Sequence, residues 1–575
     1  MKRALGLFSL LAFTLLLLGT GPDDGSRAGF ERYAVASDHA LASQAGAELL
    51  AAGGNAADAA AATMLALGVA NPQSSGMGGG GFALYYRAED RSLTFLDFRE
   101  RAPAAASSDM YAENEAQGGP ASTRSQLGGL ATGVPGEPAG VDELVRRFGS
   151  RPLAEIAAPA VRLADEGFEV RETLARASGP FAVHMRRDPI MRGWFERGQE
   201  SLRVGQRLRQ PELARTLRAF GSRGARAIYQ GRIAREIVNA NRRNGGIMSL
   251  ADLRDYRVVE REPLSAERFG YRWVTAPPPS AGGYTMLASL ALLERWIPEP
   301  RRRQDDHQLM HAFAESWKGP FWDRASYFGD PDHVQVPVEA LLDEARIARR
   351  AAVFRPSLAV PAPYYAMPLA GRPEGPPAPP EEHGTSHLCV VDADGNVAAV
   401  TTTVNLPFGA RYTAAGMVMN DEMDDFASAV GQTNAFGLPG GAPNLPGPGR
   451  RPVSTMSPTI VLDGEGAVLC IGASGGSRIV TAAEQVAWHT VVRGIDPLEA
   501  LQHPRVHHQG FPDVLRHEET NALDEDLLAT LAARGHQFET ARHSAVVQLI
   551  RIQRGGSPRL IAVSDPRKGG LPAGQ

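Results

Sequence analysis

The chain has 575 residues, 43% of them hydrophobic and 22% charged, ordinary proportions for a globular protein with a large core. Its formal net charge of −4 offers no footprint for a nucleic-acid partner. Short basic clusters such as Arg301-Arg302-Arg303 fit a solvated surface instead.

At the N-terminus Lys2 and Arg3 precede an apolar run from Ala4 to Leu18, the pattern of a secretory signal. The run is short for a membrane span, which takes ~20 residues. The cleavage site is poorly defined, because Pro22 follows Gly19-Thr20-Gly21. Leu17-Leu18-Gly19 suits a lipoprotein box, but Thr20 stands where the lipidated cysteine belongs. Residues 1–28 are therefore read as a signal peptide or an N-terminal anchor, and the protein as exported, periplasmic or extracellular.

Residues 38–70 are Ala-rich with helical spacing, and Gly53-Gly54-Asn55 divides them into two helices that Asn71-Pro72 ends. The run Ser75-Gly76-Met77-Gly78-Gly79-Gly80-Gly81 lacks the lysine of a phosphate loop and leads into a strand, Ala83 to Arg87. Tight backbone packing explains it better. A second strand, Leu93 to Arg99, ends in Asp97-Phe98-Arg99-Glu100, where Arg99 is either a surface charge or a carboxylate fork. Helices follow at 140–148, 152–166 and 211–221. Pro277 to Gly283 breaks the chain before further helices at Tyr284 to Trp296 and 307–327. Nine prolines between 356 and 380 exclude a regular element and form a linker, 355–384.

The linker runs into Glu381-Glu382-His383-Gly384-Thr385-Ser386-His387 and a strand, Leu388 to Val391, which Asp394-Gly395 turns back into Val397 to Val404. A hydroxyl residue at a strand start is ordinary chemistry. The functional alternative makes Thr385 a nucleophile whose own α-amine, freed by a cut after Gly384, takes its proton. An α-amine titrates at about 7.7–8.0 and suits that task near neutral pH. Alternation puts Thr401 and Thr403 on one face.

The acids in Asn420-Asp421-Glu422-Met423-Asp424-Asp425 can bind a metal, move protons, hold a cation or sit in solvent. Residues 431–451 are a Gly/Pro/Asn loop with no regular element, long enough for a lid. Strands are expected at Thr459 to Leu462 and Ala467 to Gly472. Gly475 and Gly476 then precede a helix, Ile479 to Val492, and expose N–H groups at its positive end, a good place for an oxyanion. Helices near 497–502 and 525–534 and strands at 545–553 and 559–564 complete the chain. The two cysteines, Cys389 and Cys470, lie in apolar β-type runs and read as buried small hydrophobes, with a disulfide as the alternative. No metal-ligand spacing is present, and the adjacent His507-His508 does not favour joint ligation.

Taken together, Gly53 to Ala59, Ser75 to Gly80, Asp97 to Glu100, Pro277 to Gly283, Thr385-Ser386-His387, Met423 to Phe426, Ser454 to Thr459 and Gly475 to Arg478 resemble the gamma-glutamyltransferase (glutathione hydrolase) family of N-terminal-nucleophile enzymes. The resemblance implies an α+β, four-layer αββα fold and an inactive precursor that cuts itself between Gly384 and Thr385. A large subunit, 29–384, and a small catalytic subunit, 385–575, then stay associated. The new N-terminal threonine attacks a γ-glutamyl amide such as glutathione and passes the acyl group to water or to an amino acid or peptide. No cofactor and no metal are implied.

By the same resemblance Thr403 orients the Thr385 hydroxyl, and the Gly475 and Gly476 N–H groups form the oxyanion hole. Arg99, Ser454 and Thr455 hold the substrate α-carboxylate, and Asn405, Glu422 and Asp425 hold its α-ammonium. Phe436 stands where a gating tyrosine is expected in the lid. It can shield the pocket by packing but lacks the hydroxyl. The alternatives are an acylase for glutaryl-β-lactams or poly-γ-glutamate, and an inactive, unprocessed binding protein of the same fold.

Overall fold

Two antiparallel sheets lie face to face. The computed structural model describes residues 25–111, 121–297, 306–369, 384–542 and 545–575. Most of the signal-like segment, the Arg301–Arg303 cluster and linker residues 370–383 lie outside them. In chain order the first strands are β1 (Arg27–Phe30), β2 (Ala34–Ser37), β3 (Gly80–Arg87), β4 (Ser92–Phe98), β5 (Val259–Arg261), β6 (Leu264–Arg268) and β7 (Tyr271–Thr275). After the linker come β8 (Gly384–Val391), β9 (Val397–Asn405), β10 (Thr459–Asp463), β11 (Gly466–Ser474), β12 (Val546–Ile552), β13 (Leu560–Ser564) and β14 (Ala573–Gly574). One sheet has the order β14-β2-β8-β9-β3-β4-β5 and the other β1-β13-β12-β11-β10-β7-β6.

Helices α1 (Ala40–Ala51), α2 (Ala56–Ala70) and α3 (Glu137–Phe148) cover the outer face of the first sheet. Helices α4 (Gly282–Trp296) and α6 (Arg478–Ala487) cover the second, and α5 (Asp306–Tyr327) packs on α4. This is the expected four-layer αββα arrangement. Among the described residues no helix is long and apolar enough to cross a membrane.

Local sequence explains these elements. Asn55 caps α2 by accepting from Ala57 N and Asp58 N at 3.0 and 3.2 Å, while Asp58 reaches back to Asn55 N at 3.0 Å. Such a capping box contributes about 1 kcal/mol and sets the break that Gly53-Gly54 announces. Helix α2 is buried on nearly every side, which its alanines permit by letting neighbouring backbones approach. The glycine run is packing, as expected: a side chain at Gly78 or Gly79 would run into the Val418 or Thr403 carbonyl.

In β8 the alternate residues Thr385, His387 and Cys389 face the second sheet, and Ser386, Leu388 and Val390 face α2. Imidazole fills the space over Gly472, and burial holds His387 neutral by pushing its pKa down to about 3.

Three expectations are corrected. Cys389 and Cys470 form a disulfide across the two sheets, with Cα atoms 5.9 Å apart, so they are a cross-tie rather than separate small hydrophobes. Facing strands bring them together, a juxtaposition no local pattern reveals. The single helix expected over 479–492 stops as an α-helix at Ala487 and widens into a π turn, Trp488–Val492. The 431–451 loop contains a short 3-10 turn, Ala442–Asn444.

Candidate active site

Thr385 sits at the head of β8, opposite Thr403 of β9, next to a register shift between Gly384 and Thr385. Its hydroxyl donates to the Gly384 carbonyl at 2.7 Å. The Thr403 hydroxyl donates to the same oxygen at 2.7 Å and lies 3.1 Å from Thr385 Oγ1. Asn405 N–H donates to Thr403 Oγ1 at 2.8 Å, which leaves the Thr403 proton free to point at Gly384. One peptide carbonyl is thus polarised by two hydroxyls at equal distance, one of them from the residue that follows it.

Beside it the β11 strand ends at Ser474 and turns into α6 through Gly475 and Gly476. Their φ values of 145° and 59° are rarely open to other residues. Neither N–H donates to another described residue, while the Gly476 carbonyl accepts from Thr455 Oγ1 at 2.9 Å. Ser454 is held by Pro279 and Ala281 of the Pro277–Gly283 segment, which buttresses this wall.

Arg99, at the end of β4, is buried. Its guanidinium donates to the Pro452 carbonyl at 3.3 Å and pairs with Glu422 and Asp425. Glu100 lies 3.8 Å from it. The residues expected to hold opposite ends of a substrate therefore hold one another in this structure. Burial works against the Arg99 charge, but the carboxylates overcome it and hold the guanidinium above its usual range. Burial raises Glu422 well above the carboxylate range and Glu100 to about 7. Three carboxylates share one guanidinium, and both Glu100 oxygens and Glu422 Oε2 accept no hydrogen bond. A second buried cation, Arg324, also acts on Asp425.

Asn405 donates to the Asp421 carbonyl at 3.0 Å and keeps its amide oxygen as an acceptor. The 431–451 loop closes over the acids: Asn434 donates to Asp425 Oδ1 at 3.0 Å and Asn444 to the Asp425 carbonyl at 2.8 Å. Phe436 is buried in the hydrophobic layer of the second sheet. Hydrogen bonds thus link Thr385, Thr403 and Asn405 to Asp421, and Arg99 to Glu422, Asp425 and the chain before Ser454.

Three residues escaped the sequence reading. Lys568 donates to the Thr385 carbonyl and to Asp38, and Arg324 is buried under the lid with Nη1 3.4 Å from the Pro439 carbonyl. A compositional signal for Lys568 existed: lysine stands only at 2, 318 and 568 among 60 Lys and Arg.

Among the described residues one group has metal-ligand spacing, His311, Glu315 and His536, far in sequence from the acids above. Lys318 already donates to Glu315 at 2.7 Å, so a cation is built in.

Two stacked antiparallel sheets between helical layers, with a hydroxyl residue at a strand head facing a second hydroxyl, match the class of N-terminal-nucleophile hydrolases. A sequence profile of the family Gamma-glutamyltranspeptidase matches residues 42–575. The glutathione hydrolase proenzyme of Escherichia coli (strain K12) is 38% identical over 538 residues, 93% of this chain and 90% of that protein. The glutathione hydrolase proenzyme of Bacillus subtilis (strain 168) is 33% identical over 518 residues, 88% of this chain and 85% of that protein. Among solved structures, cephalosporin acylase from Bacillus halodurans superposes with a TM-score of 0.80 at 26% identity, covering 98% of this chain and 99% of that one. Helicobacter pylori gamma-glutamyltranspeptidase gives 0.54 at 32% identity over 57% of this chain and 93% of that one. The chain belongs to the gamma-glutamyltranspeptidase family.

Proposed function

We propose that the protein is an exported enzyme that cuts itself between Gly384 and Thr385 and then hydrolyses or transfers the γ-glutamyl group of glutathione and related amides. The observation that carries this reading is the Gly384 carbonyl with the Thr385 and Thr403 hydroxyls both donating to it. Attack of Thr385 Oγ1 on the Gly384 carbonyl carbon closes a five-membered ring. The amide C–N bond breaks, the nitrogen takes the hydroxyl proton, and an ester remains. Water cleaves that ester to a Gly384 carboxylate and a free Thr385 amine and hydroxyl. The Thr403 hydroxyl stabilises charge on the carbonyl oxygen in the first step.

In turnover the amine removes the Thr385 hydroxyl proton and Oγ1 attacks the γ-carbonyl. The Gly475 and Gly476 N–H groups receive the oxyanion. The amine then returns its proton to the leaving nitrogen, and the γ-glutamyl ester passes to water or to an amino acid.

The amino-acid end of the donor is a zwitterion. Its carboxylate takes the Arg99 guanidinium with Ser454 and Thr455. Its ammonium takes Glu422, Asp425 and Asn405, whose free oxygens are acceptors. A glutaryl donor has no ammonium and would leave those acceptors unfilled, which favours γ-glutamyl donors over glutaryl-β-lactams.

The test is a timed denaturing gel of wild type beside Thr385→Ala, with N-terminal sequencing and a glutathione turnover assay. Wild type is expected to give two bands, the smaller starting Thr-Ser-His, with turnover. The variant should give one band and none. A stable single wild-type band without turnover sinks the reading.

A further inference from the structure

We propose that Lys568 is a positioning residue for Thr385: its ammonium pins the Thr385 carbonyl and disfavours protonation of the amine that cleavage frees beside it. This rests on the reading of Thr385 as the new N-terminus. Lys568 closes a 3-10 turn, Pro566–Lys568, just after β13. It is buried, and Nζ donates to the Thr385 carbonyl, to Asp38 Oδ2 at 2.8 Å and to Ser474 Oγ at 3.2 Å. Asp38 accepts in addition from Ser474 Oγ at 2.9 Å and from Gln548 Nε2 at 2.9 Å. One network therefore joins the nucleophile residue to Ser474, the residue that precedes Gly475.

The distance to the amine follows from covalent geometry. A residue's own carbonyl oxygen and nitrogen are separated by three bonds, so Nζ lies no more than about 6 Å from the Thr385 nitrogen. A like charge at that range disfavours protonation by about one pH unit or more in a buried site. The amine then remains a free base at pH values where an isolated one would be half protonated.

Two buried acids outside the network also reach this end of the strand: Glu137 of α3 accepts from Thr402 Oγ1, and Glu100 lies against Gly80, the register partner of Thr403. Strands β2, β9 and β11 contribute no ionisable side chain, and Asp38 follows β2 directly. Helix α2 brings only Asp58, at its opposite end, and Arg551 of β12 pairs in register with Leu469, away from Ser474. On β8 itself His387 is neutral. Through Glu100 the Arg99, Glu422 and Asp425 set borders the same strand end, and it is unchanged in each variant below. In a chain that otherwise uses arginine, a compact ammonium at this position fits a space closed by a carboxylate, a hydroxyl and a carbonyl.

The test follows kcat/KM against pH with γ-glutamyl-p-nitroanilide, on cleaved full-length protein at constant ionic strength. Lys568→Met is expected to move the acid limb up by about one pH unit. Lys568→Arg keeps the charge and the limb, whatever happens to the rate. Asp38→Asn leaves the ammonium unbalanced and moves the limb down. Damage to packing alone would lower rates without opposite displacements. Limbs that coincide with wild type, or Met and Asn variants that move the same way, overturn the proposal. If Lys568→Met stays uncut, Asp38→Asn decides alone: a downward limb supports the proposal and an unmoved one rejects it. Sequencing separates the two readings. No Thr385 terminus in wild type rejects the nucleophile itself, whereas a Thr385 terminus with unmoved limbs rejects only the role of Lys568.

Discussion

Two buried charge clusters of this protein are built to opposite ends. Around Glu315 every group is matched: Lys318 donates to one carboxylate oxygen at 2.7 Å, and Tyr365 hydroxyl and Val360 N–H donate to the other at 2.7 and 3.1 Å. His311 bonds His536 and the Arg355 carbonyl at 2.8 and 2.9 Å. Around Arg99, with Arg324 also acting on Asp425, three carboxylate oxygens accept no hydrogen bond. A finished network holds a fold together, here α5 to the chain entering the linker. An unfinished one of the same residue types, equally buried, is what a charged ligand completes.

This contrast can be broken by mutation. Lys318→Met leaves Glu315 buried without its cation and is expected to cost about 3–5 kcal/mol of stability. Denaturant unfolding measures it, and KM for the donor should hardly move in the protein that still folds. Asp425→Ala is the mirror case. It should lower kcat/KM by an amount on the order of 2–5 kcal/mol, as for a desolvated charge contact. Yet its unfolding midpoint should hold or rise, because it removes one of three crowded carboxylates. Wild-type-like kcat/KM in that variant would falsify the ammonium role.

A smaller effect sharpens the distinction through pH. Burial raises Glu484, which accepts from Ser289 and Trp317, to about 8. Its folded pKa lies above the unfolded value of about 4.3, so the stability it contributes is present below that value and is lost as pH climbs through 8. Glu484→Gln should flatten this fall and be more stable than wild type at pH 9 by about 3–5 kcal/mol, with a much smaller difference at pH 5. Thermal melts across that range would show it, and parallel curves for the two proteins would reject the assignment.

Much of the fold was legible because its signals are local. Asn55 with Asp58 starts α2, Asp394-Gly395 turns β8 into β9, and the glycines at 76–81 mark close backbone contact. The family was legible as short motifs in a given order. What stayed hidden depends on distant pairings. Cys389 meets Cys470 only because two sheets stack, and Lys568 reaches Thr385 across 183 positions. That Arg99 would be held by the acids meant for the other end of the substrate is also a matter of tertiary geometry, since each motif alone says only that charge is present.

The order of strands constrains how the enzyme is made. In the first sheet β8 and β9 lie between β2 and β3, and in the second β10 to β13 lie between β7 and β1. The proposed cut after Gly384 thus assigns the middle of each sheet to one fragment and the strands that flank it to the other, with β14 of the smaller fragment returning to the outer edge beside β2. Translated from separate messages, each fragment would expose long unpaired strand edges, the usual seeds of aggregation. A single reading frame, folded whole and severed afterwards, avoids that stage. Once severed, the pieces cannot part by dilution without opening both sheets, so subunit exchange between molecules should be too slow to observe in the native state.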